Sequence, residues 1–470
     1  MFSVRRTDRV CCIGAGYVGT PTMVMIASKC PEISVTVVDV DAERIAAWNS
    51  EIPENFPIFE PGLSDLLLSS RGRNLAFSTD IEGAIETCDI IFVCVNTPTK
   101  KTGFGAGRAA NLGPWESAGR MIAKYSRTDK IVIEKSTVPV RTADALTSVL
   151  TGSNPSERKF VVLSNPEFLA EGSAIRDLSH PDRVLIGGPS TPEGEYAVRV
   201  LQNIYLEWIP ETRILTCNVW SSELSKLVAN AFLAQKVSSI NSIAMLCEAT
   251  GADISEVSRA VGCDSRIGNR FMDASVGFGG SCFRKDILNL VYLCEQLGLT
   301  SVADYWNQVV VMNEARKTSF VSTIVNTMFN TVEGKTLTIF GFAFKKDTSD
   351  TRESPAISIC KALLNEGAII RIFDPKVPPK AIEKELGDNF NNKSSFQCVN
   401  DPEEGVQESH AIIVLTEWDQ FTGMNYDNFY HRMQKPAFIF DGRNFLNHEN
   451  LKKIGFRVKA VGKPALLSSI

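Results

Sequence analysis

The chain has 470 residues, 44% of them apolar and 22% charged, with a formal net charge of −5, which is the balance of a globular protein with room for two or three domains. An acidic balance without a long lysine or arginine run argues against nucleic acid as a partner, and the lack of any apolar stretch of about 20 residues argues against a membrane span. Twelve cysteines behind a polar N-terminus without a secretory pattern point to reduced thiols in the cytoplasm, and four scattered histidines without CxxC or HxxxH spacing point to no metal site.

Val10–Ile13 reads as a buried strand that enters Gly14-Ala15-Gly16-Tyr17-Val18-Gly19, and a helical pattern follows to about Lys29. A strand, glycines at that spacing and a helix form a cradle for a dinucleotide pyrophosphate. A second strand, Val35–Val38, ends in Asp39, 20 residues past Gly19. An acid there binds the adenosine ribose and repels a 2′-phosphate, so NAD is expected rather than NADP, with Arg44 leaving that preference partly open.

Three further apolar runs end in polar sequence: Ile90–Val95 into Asn96-Thr97-Pro98, Ile131–Ile133 into Glu134-Lys135-Ser136-Thr137, and Val161–Leu163 into Ser164-Asn165-Pro166-Glu167. In an open parallel sheet, ligands bind beyond the carboxyl ends of the strands, so these tails line one crevice with the glycine loop. Thr137, Glu167 and Glu171 are the candidate polar groups near the reacting centre.

From Trp220 to Thr250 the chain is helical in pattern, with Ser221 and Ser222 as expected caps and Gly251 as the stop. About 30 residues of helix span roughly 45 Å, enough to join two domains. Lys226 and Asn230, four apart, share a face and are expected to donate hydrogen bonds to a developing oxyanion. Beyond that helix, Val276-Gly-Phe-Gly-Gly-Ser-Cys282-Phe-Arg-Lys-Asp286 holds the candidate nucleophile. The glycines let the backbone approach a ligand closely. A helix starting after Cys282, together with Arg284 and Lys285, is expected to stabilise a thiolate. The other eleven cysteines read as buried apolar residues.

The second half repeats the order strand, glycine turn, helix, strand and acid: Lys335–Phe340, Gly341, Ser354–Gly367, Ala368–Phe373 and Asp374. This predicts a second Rossmann-like domain without the glycine spacing for a second dinucleotide. Lys345, Lys346 and Arg352 would suit phosphates. Strands are also expected at Ala411–Leu415 and Ala437–Phe440, and a surface loop at 388–395. The expected architecture is α/β, with two doubly wound Rossmann-like domains joined by a long central helix and a helical middle: 1–213 for NAD, 214–328 for the helical centre and 329–470 for a nucleotide-linked substrate.

The assembled motifs resemble the UDP-glucose 6-dehydrogenase family, in its animal-type form. The carrying segments are Gly14–Gly19, Asn96–Lys100, Glu134–Pro139, Asn165–Gly172, Trp220–Asn241, Gly277–Asp286, Phe340–Pro355 and Phe440–Arg443. The resemblance implies four-electron oxidation of UDP-glucose to UDP-glucuronate with two NAD⁺, through a thiohemiacetal and then a thioester on Cys282. It implies Lys226 and Asn230 as oxyanion donors, Asp286 and Thr137 as the pair that positions water, and Glu167 for acid–base work in thioester hydrolysis. Glu171 would touch both ligands. Cofactor contacts would come from Gly14, Gly16, Tyr17, Val18, Gly19, Asp39, Arg44, Thr97, Pro98, Ser136, Thr137 and Arg352. Substrate contacts would include Phe168, Leu169, Phe278, Gly279, Phe344, Lys345 and Arg443. It further implies a homo-oligomer, a hexamer built on dimers, with Arg266 reaching the substrate of a neighbouring subunit. Thr20, Ser173, Arg284 and Thr142 depart from the family's commoner residues, the last in a segment tied to allosteric switching.

Three alternatives stand beside that reading. They are a dehydrogenase of another nucleotide sugar, such as GDP-mannose or UDP-N-acetylmannosamine, a two-electron β-hydroxyacid-type dehydrogenase, and an NAD-sensing module without turnover.

Overall fold

The computed structural model describes residues 2, 4, 7–152, 158–387 and 395–464. Positions 388–394 of the expected surface loop lie outside the described residues. The chain forms two compact units, Met1–Ala229 with Leu288–Leu297, and Asn230–Ile287 with Gly298–Ile470.

The first unit is built on an eight-stranded sheet in the order β3-β2-β1-β4-β5-β6-β7-β8. Its strands are β1 (Arg9–Ile13), β2 (Ser34–Val38), β3 (Leu75–Ser78), β4 (Ile90–Val93), β5 (Lys130–Glu134), β6 (Phe160–Ser164), β7 (Val184–Gly188) and β8 (Ile214–Asn218). The apolar run of β1 is continuous because both faces of the sheet are covered. Val10 and Cys12 enter one core with Val35, Val37 and Phe92, while Cys11 and Ile13 enter another with Ile91, Val93 and Val132. Strand order reverses at β1, which pairs in parallel with β2 on one side and β4 on the other. That reversal opens a crevice beyond the carboxyl end of β1. Strands β7 and β8 run parallel to each other but antiparallel to β6, through Ser164 and Gly187. No local pattern in the sequence marks this edge.

The second unit carries a six-stranded, all-parallel sheet in the order β11-β10-β9-β12-β13-β14. Its strands are β9 (Thr336–Phe340), β10 (Ile369–Phe373), β11 (Phe396–Cys398), β12 (Ala411–Val414), β13 (Phe438–Asp441) and β14 (Arg457–Ala460). Leu337, Ile339, Ile370, Ile372, Ile412 and Phe440 form one core with Ile240, Ala244, Phe320 and Ile324 from two long helices.

The helix Val219–Thr250 has 32 residues, about 48 Å of length. It starts before the serines expected to cap it. The Asn218 carboxamide accepts from Ser221 N at 2.8 Å, and the Ser222 hydroxyl donates instead to Ser164 O at 3.3 Å. Gly251, at φ 82°, closes the helix by donating its N–H to Cys247 O at 3.0 Å, as a left-handed cap does. Among the described residues no helix is long and apolar enough to cross a membrane.

Candidate active site

The glycine loop has the shape its residue types require. Gly14 stands at φ 113°, and a Cβ there would lie 2.5 Å from Cys94 O; a Cβ on Gly19 would lie 2.2 Å from Gly14 O. Neither place admits a side chain. A Cβ on Gly16 would meet nothing within 4 Å, so the loop is open on that side, and the helix Gly19–Lys29 starts directly behind it. Asp39 accepts from Ala15 N at 2.9 Å and Asp41 N at 3.0 Å. Arg44 is held 3.1 Å from the Asp39 carboxylate, which offsets the charge that left the NAD preference open. An open glycine, amides at a helix N-terminus and an acid after β2 fit a dinucleotide's pyrophosphate and ribose. Nearby, Thr97 donates to Thr137 O at 2.8 Å and Ser136 to Val95 O at 2.7 Å, which ties the tail of β4, including Pro98, to that of β5.

Glu167 sits in a buried polar network that the sequence reading missed. Lys135 Nζ is 2.9 Å from the Glu167 carboxylate, 3.1 Å from Asn165 Oδ1 and 3.2 Å from Tyr205 Oη, and Tyr205 Oη donates to Asn165 Oδ1 at 2.7 Å. Glu167 Oε1 also accepts from Phe168 N at 2.8 Å and Leu169 N at 3.0 Å. Burial alone would raise this carboxyl. The charge and hydrogen bond of Lys135, the charge of Lys226 and the Leu169 amide outweigh it, and the group is held below the usual carboxylate range. Lys226, itself buried, places Nζ 5.3 Å from the centre of the Phe168 ring, and Arg183 stacks on the same ring at 3.8 Å. The signal for Lys135 was a lysine directly after an apolar strand, but nothing local indicated its partners.

In the second unit, Cys282 is half-buried and immediately precedes the helix Phe283–Gln296, as expected. Its sulfur lies 3.5 Å from the Ser281 hydroxyl. The turn that carries it is fixed from several directions. Val276 N donates to Gly442 O and Gly280 N to Arg352 O, each at 2.9 Å, and Ser275 N donates to Asn241 Oδ1 at 2.8 Å. Asn313 accepts from Phe278 N at 2.8 Å and donates to Phe278 O at 3.1 Å. The expected positive field is partly offset, since Arg284 lies 3.2 Å from Glu314 and 3.5 Å from Glu353, and Lys285 lies 3.9 Å from Asp286. Asn230 donates to the buried Asp286 carboxylate at 2.6 Å. Of the other eleven cysteines eight are buried, whereas Cys217 and Cys398 are half-buried and Cys263 is exposed.

A cavity of about 790 Å³ in the same unit is lined by Phe278, Gly279, Phe344, Lys345 and Arg443, together with Arg259, Asn269, Asp273 and Glu417. Glycine is required at 279, where a Cβ would lie 2.5 Å from Glu353 O and 3.0 Å from Phe344 Cβ. Arg443 pairs with Glu417, and its loop is organised by Asp441. The Asp441 carboxylate accepts from the amides of Arg443, Asn444, Phe445 and Leu446 at 2.7–3.0 Å and meets His448 Nε2 at 2.8 Å. Of the three basic residues read as phosphate partners, only Lys345 lines the cavity. Lys346 pairs with Asp419 at 2.8 Å and Arg352 with Asp350 at 2.6 Å. Arg266 lies outside the lining as well, exposed and paired with Asp264 at 2.6 Å. Among the described residues no cluster of His, Cys, Asp and Glu is arranged to hold a metal ion.

These features agree with comparisons to known proteins. Residues 8–209 match the NAD binding domain of the UDP-glucose/GDP-mannose dehydrogenase family, 220–315 its central domain and 338–448 its UDP binding domain. The chain is 56% identical to UDP-glucose 6-dehydrogenase 4 of Arabidopsis thaliana and 54% identical to UDP-glucose 6-dehydrogenase 1 of Glycine max, over 97% of each chain in both cases. Among solved structures it resembles a UDP-glucose dehydrogenase of the archaeon Pyrobaculum islandicum, at TM-score 0.84 and 30% identity over 99% of this chain and 100% of that one. The glycine loop before Asp39, the cysteine turn and the three consecutive domain matches together make this chain a member of the UDP-glucose/GDP-mannose dehydrogenase family.

Proposed function

We propose that the protein oxidises UDP-glucose to UDP-glucuronate, with the division 1–213, 214–328 and 329–470 into NAD-binding, central and UDP-sugar-binding parts. The observation that carries this reading is the 56% identity to a UDP-glucose 6-dehydrogenase over 97% of both chains. The fit of the glycine loop to a dinucleotide and the arginine- and lysine-lined cavity beside the cysteine turn support it. Bound NAD⁺ supplies the acceptor for each of two hydrides.

In this reading the primary alcohol of the sugar first becomes an aldehyde. The Cys282 thiolate attacks that carbon to give a thiohemiacetal, and loss of a second hydride leaves a thioester. Water then cleaves the C–S bond and returns the thiolate, so one alcohol, two NAD⁺ and one water yield one carboxylate, two NADH and three protons. Lys226 and Asn230 donate to the oxyanion. Asp286 and Thr137 hold the water, while Glu167, kept anionic by Lys135, serves as base during hydrolysis. Phe168, Leu169, Glu171, Phe278, Gly279, Phe344, Lys345 and Arg443 would surround the nucleotide sugar. Arg352 and Arg266 act elsewhere in this reading, the first at the cofactor and the second in a neighbouring subunit of a homohexamer.

The test is stoichiometric. Two NADH per UDP-glucose consumed supports the reading, and one NADH overturns it. Cys282→Ser should abolish acid formation while UDP-glucose still binds. A sugar adduct on Cys282, located by mass spectrometry, would identify the covalent step, and a panel including GDP-mannose and UDP-N-acetylmannosamine would test the choice of sugar.

A further inference from the structure

One buried acid joins two groups of residues that the reading above assigns to different ligands. Glu60 lies in the turn before the helix Leu63–Ser70, and only 4% of its surface is exposed. Its Oε1 accepts from the Tyr17 hydroxyl and from Gly172 N, and its Oε2 accepts from Ala174 N at 2.9 Å. Tyr17 belongs to the glycine loop. Gly172, at φ 82°, directly follows Glu171 in the turn that also carries Glu167, Phe168 and Leu169. The Tyr17 hydroxyl is kept protonated by its burial, by the bond to Glu60 and by the charges of Glu60 and Glu171. It therefore acts as a donor throughout the physiological range.

A carboxylate that only capped the short helix Ala174–Ser179 would need the amides of Gly172 and Ala174 and no more. The shared bond from Tyr17 goes beyond capping, because it makes the position of the glycine loop depend on that of the 167–172 turn. We propose that Glu60 is a positioning residue that holds the dinucleotide loop and the Glu167–Glu171 turn in one register, so that disturbing either loop weakens binding at both. The assignment of the turn to the nucleotide sugar rests on the function proposed above. The dependence of NAD⁺ affinity on Glu60 does not.

The test uses the full-length protein and two variants, Tyr17→Phe and Glu60→Gln. Dissociation constants for NAD⁺ and for UDP-glucose are measured separately by calorimetry, with thermal melting as a check on folding. Each variant should weaken NAD⁺ by about 10-fold, the size expected for a lost buried hydrogen bond, and should weaken UDP-glucose in the same direction. The double variant should bind no worse than Glu60→Gln alone, because both changes break one link. A lowered melting temperature with both affinities unchanged would reduce Glu60 to a structural cap and overturn the proposal, and so would additive losses in the double variant. If Glu60→Gln fails to fold, Tyr17→Phe decides alone, since unchanged UDP-glucose affinity in that variant also overturns it. Both constants are read without turnover, so failure of this coupling is separable from a failure of the wild type to oxidise UDP-glucose.

Discussion

The two parallel sheets share a local design, a glycine turn after one strand and an acid after the next, yet they use it differently. At Gly14 the chain passes directly into the helix Gly19–Lys29, Gly16 faces open space, and Asp39 accepts two amides besides Arg44. At Gly341, with φ 91°, the next two residues are the buried Phe342 and Ala343, and the following helix starts only at Pro355. Asp374 there accepts from the amides of Phe342, Ala343, Lys376 and Val377 at 2.6–3.0 Å and from Trp418 Nε1 at 3.3 Å. Those five donors exceed the roughly four lone-pair sites of a carboxylate. The echo of strand, turn and acid therefore builds a fold twice, but it leaves capacity for a ligand's ribose only where the acid is not consumed by its own loop.

The sharpest way to break this comparison is to add one methyl group to each turn. Gly14→Ala places a Cβ 2.5 Å from Cys94 O at positive φ, so NAD⁺ binding measured by calorimetry should fall by more than about 100-fold or vanish. Gly341→Ala places its Cβ 2.3 Å from Thr416. It should lower the melting temperature while the folded protein keeps its NAD⁺ affinity. The acids should separate in the same way, with a smaller effect. Asp39→Asn should shift the ratio of NAD⁺ to NADP⁺ kcat/KM toward NADP⁺ by about 10-fold, the value of 1.4 kcal/mol. Asp374→Asn should leave that ratio alone and cost stability of about 1–3 kcal/mol in denaturant unfolding.

The smallest expected effects are two pH dependences of opposite sign. Burial would raise Asp441, but its bond to His448, the amides of Leu446 and Arg443 and the His448 charge hold it below the usual range. Its contribution is present above the unfolded value of about 3.9 and is lost as pH falls through the lower folded value. Asp441→Asn should therefore flatten the acid limb of a melting-temperature profile. Glu134 is buried, and burial followed by the charge of Glu223 raises its carboxyl well above normal. Folding therefore favours its neutral form. Stability from this site is full below about pH 4.3 and declines as pH rises through the raised folded value. Glu134→Gln should raise the melting temperature more at pH 8 than at pH 5.

Much of this molecule was legible in its sequence because the decisive signals are local. Apolar runs marked β1, β2, β4, β5, β6, β9, β10, β12 and β13 but not β3, β7, β8, β11 or β14, the glycine spacing marked the first cradle, and a cysteine among glycines marked the thiol at a helix start. Signals were lost wherever a partner lies far along the chain. Arg284 and Lys285 read as a positive field around sulfur, but Glu314 is 30 residues from Arg284, and no local pattern announces that pairing. Lys135 meets Tyr205, 70 residues away. Strand direction is equally non-local, so the reversal at β7 had no trace in Val184–Gly188. Ser221 and Ser222 had the right chemistry for a cap, but Asn218, three residues earlier, has it too and stands where the helix begins.

The hydrogen bonds that fix the cysteine turn have a consequence for anyone who would move it. The segment from Ser275 to Gly280 is hung on Asn241, Asn313, Arg352 and Gly442, four anchors spread across some 200 positions of the chain. Transplanting the stretch Ser275–Cys282 onto another scaffold would carry the cysteine without its aim. Retaining the four anchors while redesigning the turn between them is the more promising route to new thiol chemistry on this framework.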